Sequence, residues 1–407
     1  MEQKKKKKKS RKWLKFRHKV VGAVLRYPVW LLCCIKYGIS IKRFREKEKR
    51  PYLILYNHQT AFDQFFVGLA FDDPIYYLAS EDLFSNGWVS SLIKYLVEPI
   101  PIKKQTTDVK AILNCMRVAK EGGSIAIAPE GNRTYSGETV YMSPTIAPLA
   151  RKLGLPILLF RLEGGYGVQP RWSDVTRRGK MRAYVSRVIE PEEYSALSDD
   201  ELFSIIKDGL YQNEATADKT FKHARLAEYL ERALYTCPDC GLTTLESRGD
   251  IIECKKCGKK VRHLPTQQLQ GVDCDFPHSF VLDWYNAQSE LINSLDLTPY
   301  LEKPMYVDQA ALREEIPYEK KLLLCKSARI LLYGDRIEIE ADDKHVFPFD
   351  DTAAVTVLGR NKLNIYHGGR IYQLKGDKRF CALKYVHIYH RNKNIKKGDE
   401  NDTFLGL

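Results

Sequence analysis

Hydrophobic positions fall into distinct textures along the chain. Between residues 51 and 190, short apolar runs alternate with segments of helical periodicity. The runs predict strands at Tyr52–Tyr56, Ile75–Ala79, Glu98–Ile102, Ser124–Ala128, Leu155–Leu162 and Met181–Val188. The periodic segments predict helices at Thr60–Phe71, Thr107–Lys120 (stopped by Gly122-Gly123) and Pro144–Leu153. Strands alternating with helices of this length imply a layered α/β architecture with a largely parallel sheet. Residues 217–234 and 276–300 also read as helical. From about residue 304 the runs become short and alternating, as in Arg336–Glu340, Ala353–Leu358 and Arg370–Leu374. Gly-Asp, Asp-Asp, Gly-Arg-Asn and Gly-Gly separate them, which predicts a mainly antiparallel sheet with tight turns. A helix over Phe380–His390 closes this region, and the tail after Asn392 is polar.

Length and charge refine this picture. At about 150 residues per domain, 407 residues predict two or three domains. The net charge is +14, yet the first 50 residues alone hold 19 Lys/Arg and 3 Asp/Glu, so the remaining 357 sum to −2. A near-neutral body argues against nucleic-acid binding, and no nucleic-acid partner is expected. The basic arm starts with six lysines at 4–9 and continues into Val20–Ile41, an apolar run interrupted by Arg26, Pro28 and Lys36. Six lysines alone fit a nuclear-localisation or RNA-binding arm, or a solvated tail, equally well. The accompanying Trp13, Phe16, Tyr27, Trp30 and Tyr37 favour an interfacial membrane segment on an anionic surface. No stretch of 18 uncharged apolar residues occurs, so no standard spanning helix is expected, nor a signal peptide.

The candidate chemistry sits at two strand ends. Asn57-His58-Gln59-Thr60-Ala61-Phe62-Asp63 follows the first strand. On one continuous helix His58 and Asp63 would lie ~140° apart. They meet only if His58 occupies the turn and Asp63 the first helical turn. A carboxylate there fixes the imidazole tautomer and frees the other ring nitrogen to take a proton from a hydroxyl. The same residues also form a plausible capping box, with Thr60 as N-cap and Asp63 merely capping. Pro129-Glu130-Gly131-Asn132-Arg133-Thr134 follows a later strand. Its glycine allows close backbone approach, and its arginine suits a phosphate. A simple turn with a surface arginine is the alternative.

Together these two blocks resemble the glycerolipid acyltransferases, and more narrowly the 1-acylglycerol-3-phosphate type. That family carries N-H-x-x-x-x-D and P-E-G-[TN]-R-[ST] blocks, here Asn57–Asp63 and Pro129–Thr134. Glu98–Lys104 occupies the place of a middle block, with Lys103 or Lys104 where arginine is commoner, and Leu155-Pro156-Ile157 matches a fourth. The resemblance covers residues 45–235. It implies that His58 is the general base and Asp63 its orienting partner. It implies that Asn57, Lys103, Lys104, Glu130, Gly131 and Arg133 serve the phosphate-bearing acceptor. The implied acyl donor is acyl-CoA or an acyl-carrier-protein thioester, with acyl carrier protein as a candidate partner. The implied acceptor is lysophosphatidate, reached at the cytoplasmic face of a membrane. Acylation of another lysolipid, or a non-catalytic binding protein on a degenerate acyltransferase fold, are the rival expectations.

Ten cysteines include Cys237-Pro-Asp-Cys240-Gly and Cys254-Lys-Lys-Cys257-Gly, separated by 13 residues. Two such knuckles predict a four-cysteine zinc ribbon in a reducing compartment, structural because four thiolates leave no open position. The other six cysteines read as packing residues. The C-terminal texture resembles a pleckstrin-homology-like or GRAM-like module, with Lys362, Arg370, Lys375 and Lys378 as a candidate basic face. The expected division is an arm at 1–50, an acyltransferase domain at 51–235, a ribbon at 236–262, a helical linker at 263–303, a β domain at 304–392 and a tail at 393–407.

Overall fold

The computed structural model describes residues 12–46, 49–85, 87–102, 108–139, 141–316, 321–398 and 404–406. Lys103, Lys104 and the six-lysine run therefore lie outside the described residues. The first part of the chain forms α1 (Phe16–Tyr37), β1 (Ile39–Ile41), β2 (Leu53–Tyr56), α2 (Asp63–Ala70), β3 (Ile75–Ser80), α3 (Trp88–Leu96), β4 (Ile100–Ile102), α4 (Val109–Lys120), β5 (Ser124–Ile127), α5 (Ile146–Leu153), β6 (Ile157–Glu163), α6 (Gly165–Val168), β7 (Met181–Ile189), α7 (Pro191–Ser195) and α8 (Asp199–Leu210).

Seven strands form one sheet in the order β1-β7-β6-β2-β5-β3-β4. Every ladder is parallel except β6–β7. Central β2 is buried along its whole length, as an apolar strand covered on both faces must be. Ile54 and Tyr56 face a core built with α1 and α2. Leu53 and Leu55 face the opposite core, built with α4, α5 and α8.

Three expectations change here. The apolar run near the N-terminus is one continuous helix, α1, long and apolar enough by length and composition to cross a membrane. Sequence alone broke this run at Arg26, Pro28 and Lys36, and all three lie inside α1. Arg26 instead reaches Asp72 and the carbonyls of Phe71 and Asp72, while Lys36 lies 4.9 Å over the Phe62 ring. Second, residues 217–234 are not an α-helix. They hold a single 3-10 turn, Leu230–Arg232, because their backbone pairs elsewhere. Lys222 exchanges hydrogen bonds with Arg178, and the Ala227 N–H donates to the Gly249 carbonyl. Third, a helix forms at α8, where Ser198 and Glu201 make a reciprocal capping box.

The rest of the chain forms β8 (Thr236–Cys237), β9 (Gly241–Leu242), β10 (Leu245–Arg248), β11 (Ile251–Cys254), β12 (Lys260–His263), β13 (Leu269–Val272), α9 (Val281–Asn293), β14 (Tyr306–Glu315), β15 (Leu322–Leu332), β16 (Arg336–Glu340), β17 (Lys344–Pro348), β18 (Thr352–Leu358), β19 (Lys362–His367), β20 (Arg370–Gly376) and α10 (Leu383–Lys397). The cysteine region is a β8–β9 hairpin beside an antiparallel sheet, β10-β11-β12-β13. The expected 276–300 helix is shorter, as α9. The C-terminal sheet is antiparallel throughout, in the order β17-β16-β15-β14-β20-β19-β18. α10 closes it and continues to Lys397, beyond the expected end. The candidate basic face is divided, since Lys362 pairs across from Lys375 while Arg370 lies at the other end of the same hairpin.

A single hydrophobic core joins these regions. It runs from Tyr135 and Trp172 through Leu234 and Cys254 to Trp284 and Tyr385. Tyr135 and Trp172 belong to the stretch that carries the first sheet, so the C-terminal regions are packed onto it.

Candidate active site

β2 and β5 are neighbours, so the two candidate blocks leave the sheet side by side. The β2 end of the site is built by Asn57. Its amide nitrogen donates to the Leu162 carbonyl at 2.8 Å, and its oxygen accepts from the Leu162 N–H at 2.7 Å. The last regular rung between β2 and β6 is Tyr56–Phe160. The Asn57 side chain thus stands in for the next backbone rung and starts the turn. With both ends of its amide engaged, Asn57 holds the loop. Asn57→Ala would leave two buried backbone groups unsatisfied, at ~1–3 kcal/mol each. The expected result is a loss of about 2–5 kcal/mol in urea denaturation, and an unchanged midpoint would count against this role.

Asp63 is fully buried at the start of α2. Its carboxylate accepts from the Gln59 N–H at 2.7 Å, the Thr60 N–H at 3.0 Å and the Thr60 hydroxyl at 2.6 Å. It also meets His58 Nδ1 at 2.7 Å. One carboxylate thus serves both the donors of the turn and the imidazole, although the capping box expected with Thr60 as N-cap does not form. Phe62, rather than Thr60, is the residue at which the helix begins. Beside it, Gln59 accepts from the N–H groups of Gly165 and Tyr166, locking this turn to α6.

A carboxylate on Nδ1 places the proton there and leaves Nε2 as an acceptor. Nε2 has no hydrogen-bond partner among the described residues. Burial pushes the His58 pKa below its ordinary value, against the raising effect of Asp63 and with help from Arg133 and Arg171. His58 is consequently neutral at neutral pH.

Glu130 is buried at the end of β5 and accepts from the His58 backbone N–H at 2.8 Å. It bridges the two loops. Burial pushes its carboxyl up to about 8. Gly131 closes a turn onto the Ala128 carbonyl at 3.0 Å with φ +69°, a conformation that favours glycine. Arg133 follows, lining a small cavity with Glu130, Thr134, Tyr135 and Tyr285. Its Nη1 is buried without a hydrogen-bond partner among the described residues.

Residues 40–161 match the Acyltransferase family model.

Relatives of this stretch are similar at low identity. The 1-acyl-sn-glycerol-3-phosphate acyltransferase of Bacillus subtilis (strain 168) is 22% identical over 138 residues, 34% of this chain and 66% of that protein. The 1-acyl-sn-glycerol-3-phosphate acyltransferase BAT2, chloroplastic, of Brassica napus is 23% identical over 154 residues, 37% of this chain and 44% of its own length. Among solved structures, the 1-acyl-sn-glycerophosphate (LPA) acyltransferase PlsC from Thermotoga maritima matches at 20% identity and a TM-score of 0.37. That match covers 47% of this chain and 75% of that one.

Around this candidate site lie residues that the sequence blocks do not mark. Arg171 is buried and stacks 4.4 Å over Tyr135. Its guanidinium donates to the Arg133 carbonyl at 2.9 Å, and to the Val357 and Gly359 carbonyls at 3.4 and 3.5 Å. Arg360, on the β18–β19 turn, reaches Asp174 at 3.4 Å. Asp174 is held more closely by Arg232, at 2.7 Å. β4 ends at Ile102, immediately before Lys103 and Lys104.

The four knuckle cysteines converge as their spacing predicts. Their Sγ atoms all lie within 4.8 Å of one another, with Cys237–Cys257 at 3.8 Å and Cys240–Cys254 at 4.0 Å. A zinc–sulfur bond of ≈ 2.3 Å implies tetrahedral S···S edges of ~3.8 Å, so the donor set fits zinc. The remaining cysteines lie outside this cluster.

Proposed function

We propose that this protein transfers a fatty acyl group from a thioester donor to the free hydroxyl of 1-acylglycerol 3-phosphate, giving phosphatidate. The observation that carries the proposal is the His58 Nδ1–Asp63 contact of 2.7 Å, with Nε2 left open beside Arg133. Nε2 takes the proton from the acceptor hydroxyl, and the oxygen attacks the thioester carbonyl. The tetrahedral intermediate expels the thiolate, which leaves with the proton from His58. Asp63 stabilises the imidazolium formed between those steps. Arg133 faces the acceptor phosphate, with Gly131 allowing its approach. Lys103 and Lys104, one step beyond β4, are assigned to the same phosphate. Asn57 and Glu130 act behind them by holding the two loops. The donor is acyl-CoA or acyl carrier protein.

The lipid acceptor fits the surface. α1 exposes Phe16, Val24, Leu31 and Ile35, and neighbouring α3 exposes Trp88, Leu92 and Tyr95. We assign this apolar surface, with the basic arm, to the cytoplasmic leaflet. Zinc at the four cysteines would hold the ribbon, and the antiparallel sheet capped by α10 is assigned as a pleckstrin-homology-like module. The division into an acyltransferase domain, a ribbon and a β domain is kept as part of this reading, with the ribbon's sheet running to Val272, into the stretch expected as a helical linker.

Purified protein in lipid micelles with lysophosphatidate and labelled acyl-CoA or acyl carrier protein should form phosphatidate. Absence of product with either donor, and with other lysolipid acceptors, would leave the binding-protein alternative. The pH profile should have two limbs. His58 must be unprotonated, so the rate falls as pH drops through its lowered pKa, below 6.5. Glu130 ionises near 8, adding a negative charge beside the phosphate site, so the rate falls again above that pH. A profile with no fall between pH 7 and 9 would contradict the Glu130 assignment, and an acidic limb centred above 6.5 would contradict that of His58.

A further inference from the structure

The acyltransferase blocks supply one arginine to the site, yet the structure surrounds it with others. Arg133, Arg171, Arg232 and Arg360 meet two carboxylates, Asp63 and Asp174. Burial raises the Glu130 carboxyl, to about 8, which weakens its negative contribution here. Arg171 donates only to backbone carbonyls, so its charge has no acidic partner among the described residues. Asp174 is shared, and Arg360 makes the longer of its two contacts. Arg360 Nε is also buried without a hydrogen-bond partner among the described residues. Guanidinium charge here therefore exceeds its acidic hydrogen-bond partners among the described residues, and it is partly removed from water.

Such a cluster is costly unless an anion completes it. A phosphomonoester carries ≈ −1.5 to −2 charge at pH 7 and three acceptor oxygens. It matches the surplus in charge, and its oxygens suit guanidinium forks. A phosphodiester lysolipid carries only one such charge and matches less well.

We infer that Arg360, delivered by the C-terminal module, is an acceptor-binding residue that with Arg133 completes a phosphomonoester site. This rests on the proposed acyl transfer to lysophosphatidate and extends it, because the module then supplies part of the site. Arg171 is the bracket. It ties the Arg133 carbonyl to those of Val357 and Gly359, and so sets where the turn carrying Arg360 comes to rest. A simpler role for Arg360 would be a brace to Asp174, which would affect stability and leave the KM for the acceptor unchanged.

The experiment uses the full-length, zinc-loaded protein in micelles. Arg360→Ala should raise the KM for lysophosphatidate by about 10- to 100-fold, the loss expected for one charge-assisted contact. The kcat should stay within about threefold, and Arg360→Lys should restore part of the affinity. Arg360→Gln, closer in shape, carries the same test if the alanine variant fails to fold. An unchanged KM in a folded neutral variant would overturn the inference while leaving acyl transfer intact.

If the wild type transfers no acyl group, the function proposal fails separately. Thermal stabilisation then decides, using lysophosphatidate micelles, a phosphodiester lysolipid and inorganic phosphate as probes. Stabilisation by lysophosphatidate above the diester, lost in the neutral variant, supports the site. Stabilisation by inorganic phosphate as well assigns the effect to the phosphate group itself, whereas its absence makes the lipid necessary. Equal stabilisation of wild type and variant by all three probes would overturn it.

Discussion

His58→Ala is expected to lower acyl transfer by ~10²–10⁴-fold, the usual worth of a positioned general base. The fold should survive. The imidazole is not part of the core, and its one side-chain hydrogen bond is to Asp63. Asp63 in the variant keeps the Gln59 and Thr60 N–H groups and the Thr60 hydroxyl, so the buried carboxylate is not abandoned. The backbone N–H of residue 58 still donates to Glu130, so the two loops stay joined. The comparison to make is kcat with an unchanged melting temperature. Retention of more than a tenth of the wild-type rate would sink the assignment of the base. Asp63→Ala is the less informative variant, because it removes the acceptor for three further donors of the turn. Lost activity there would not separate chemistry from folding.

The second large effect concerns zinc. Apparent binding energies for structural zinc in small peptides are about 10–16 kcal/mol at pH 7, comparable with the 5–15 kcal/mol that holds a whole domain. Cys237 and Cys254 are also members of the core that includes Tyr135, Trp172 and α10. Removing the ion should therefore destabilise more than a peripheral loop. We expect about one zinc per chain by elemental analysis. Cys254→Ser or a strong chelator should lower the melting temperature and abolish acyl transfer together, although no cysteine approaches His58 in the chain's fold as a partner. A chelated protein that melts and works as before would show that the four thiols need no metal.

Local chemistry decided what could be read ahead of the structure. An all-apolar strand followed by His58, Thr60 and Asp63 admits few geometries, so the strand-to-helix turn was legible. The choice between cap and partner of His58 was not, because the same carboxylate can accept from the N–H groups of the turn and also meet the imidazole. The knuckle spacing was legible for the same local reason. Residues 217–234 misled because Phe221, Leu226, Leu230 and Leu234 repeat at intervals close to a helical period. The structure uses Phe221 instead as a plug against Gly167 and Gly179, with its N–H donating to the Pro265 carbonyl. Arg171 and Arg360 carry no local pattern at all. Their setting comes from the β18–β19 turn reaching the loop between α6 and β7, a contact between distant parts of the chain.

That shared core has a consequence for synthesis. A chain emerging at ≈ 5–20 residues per second completes its first sheet well before α10 exists. Trp172, Leu230 and Leu234 then lack their full cover until the last strand is made, about 7–28 seconds later for the 142 residues from Leu234 to Gly376. During that interval the nascent protein presents apolar surface both from α1 and from the open core. Cells that run short of zinc, or ribosomes that stall past residue 235, should accumulate an aggregation-prone half rather than a smaller working enzyme.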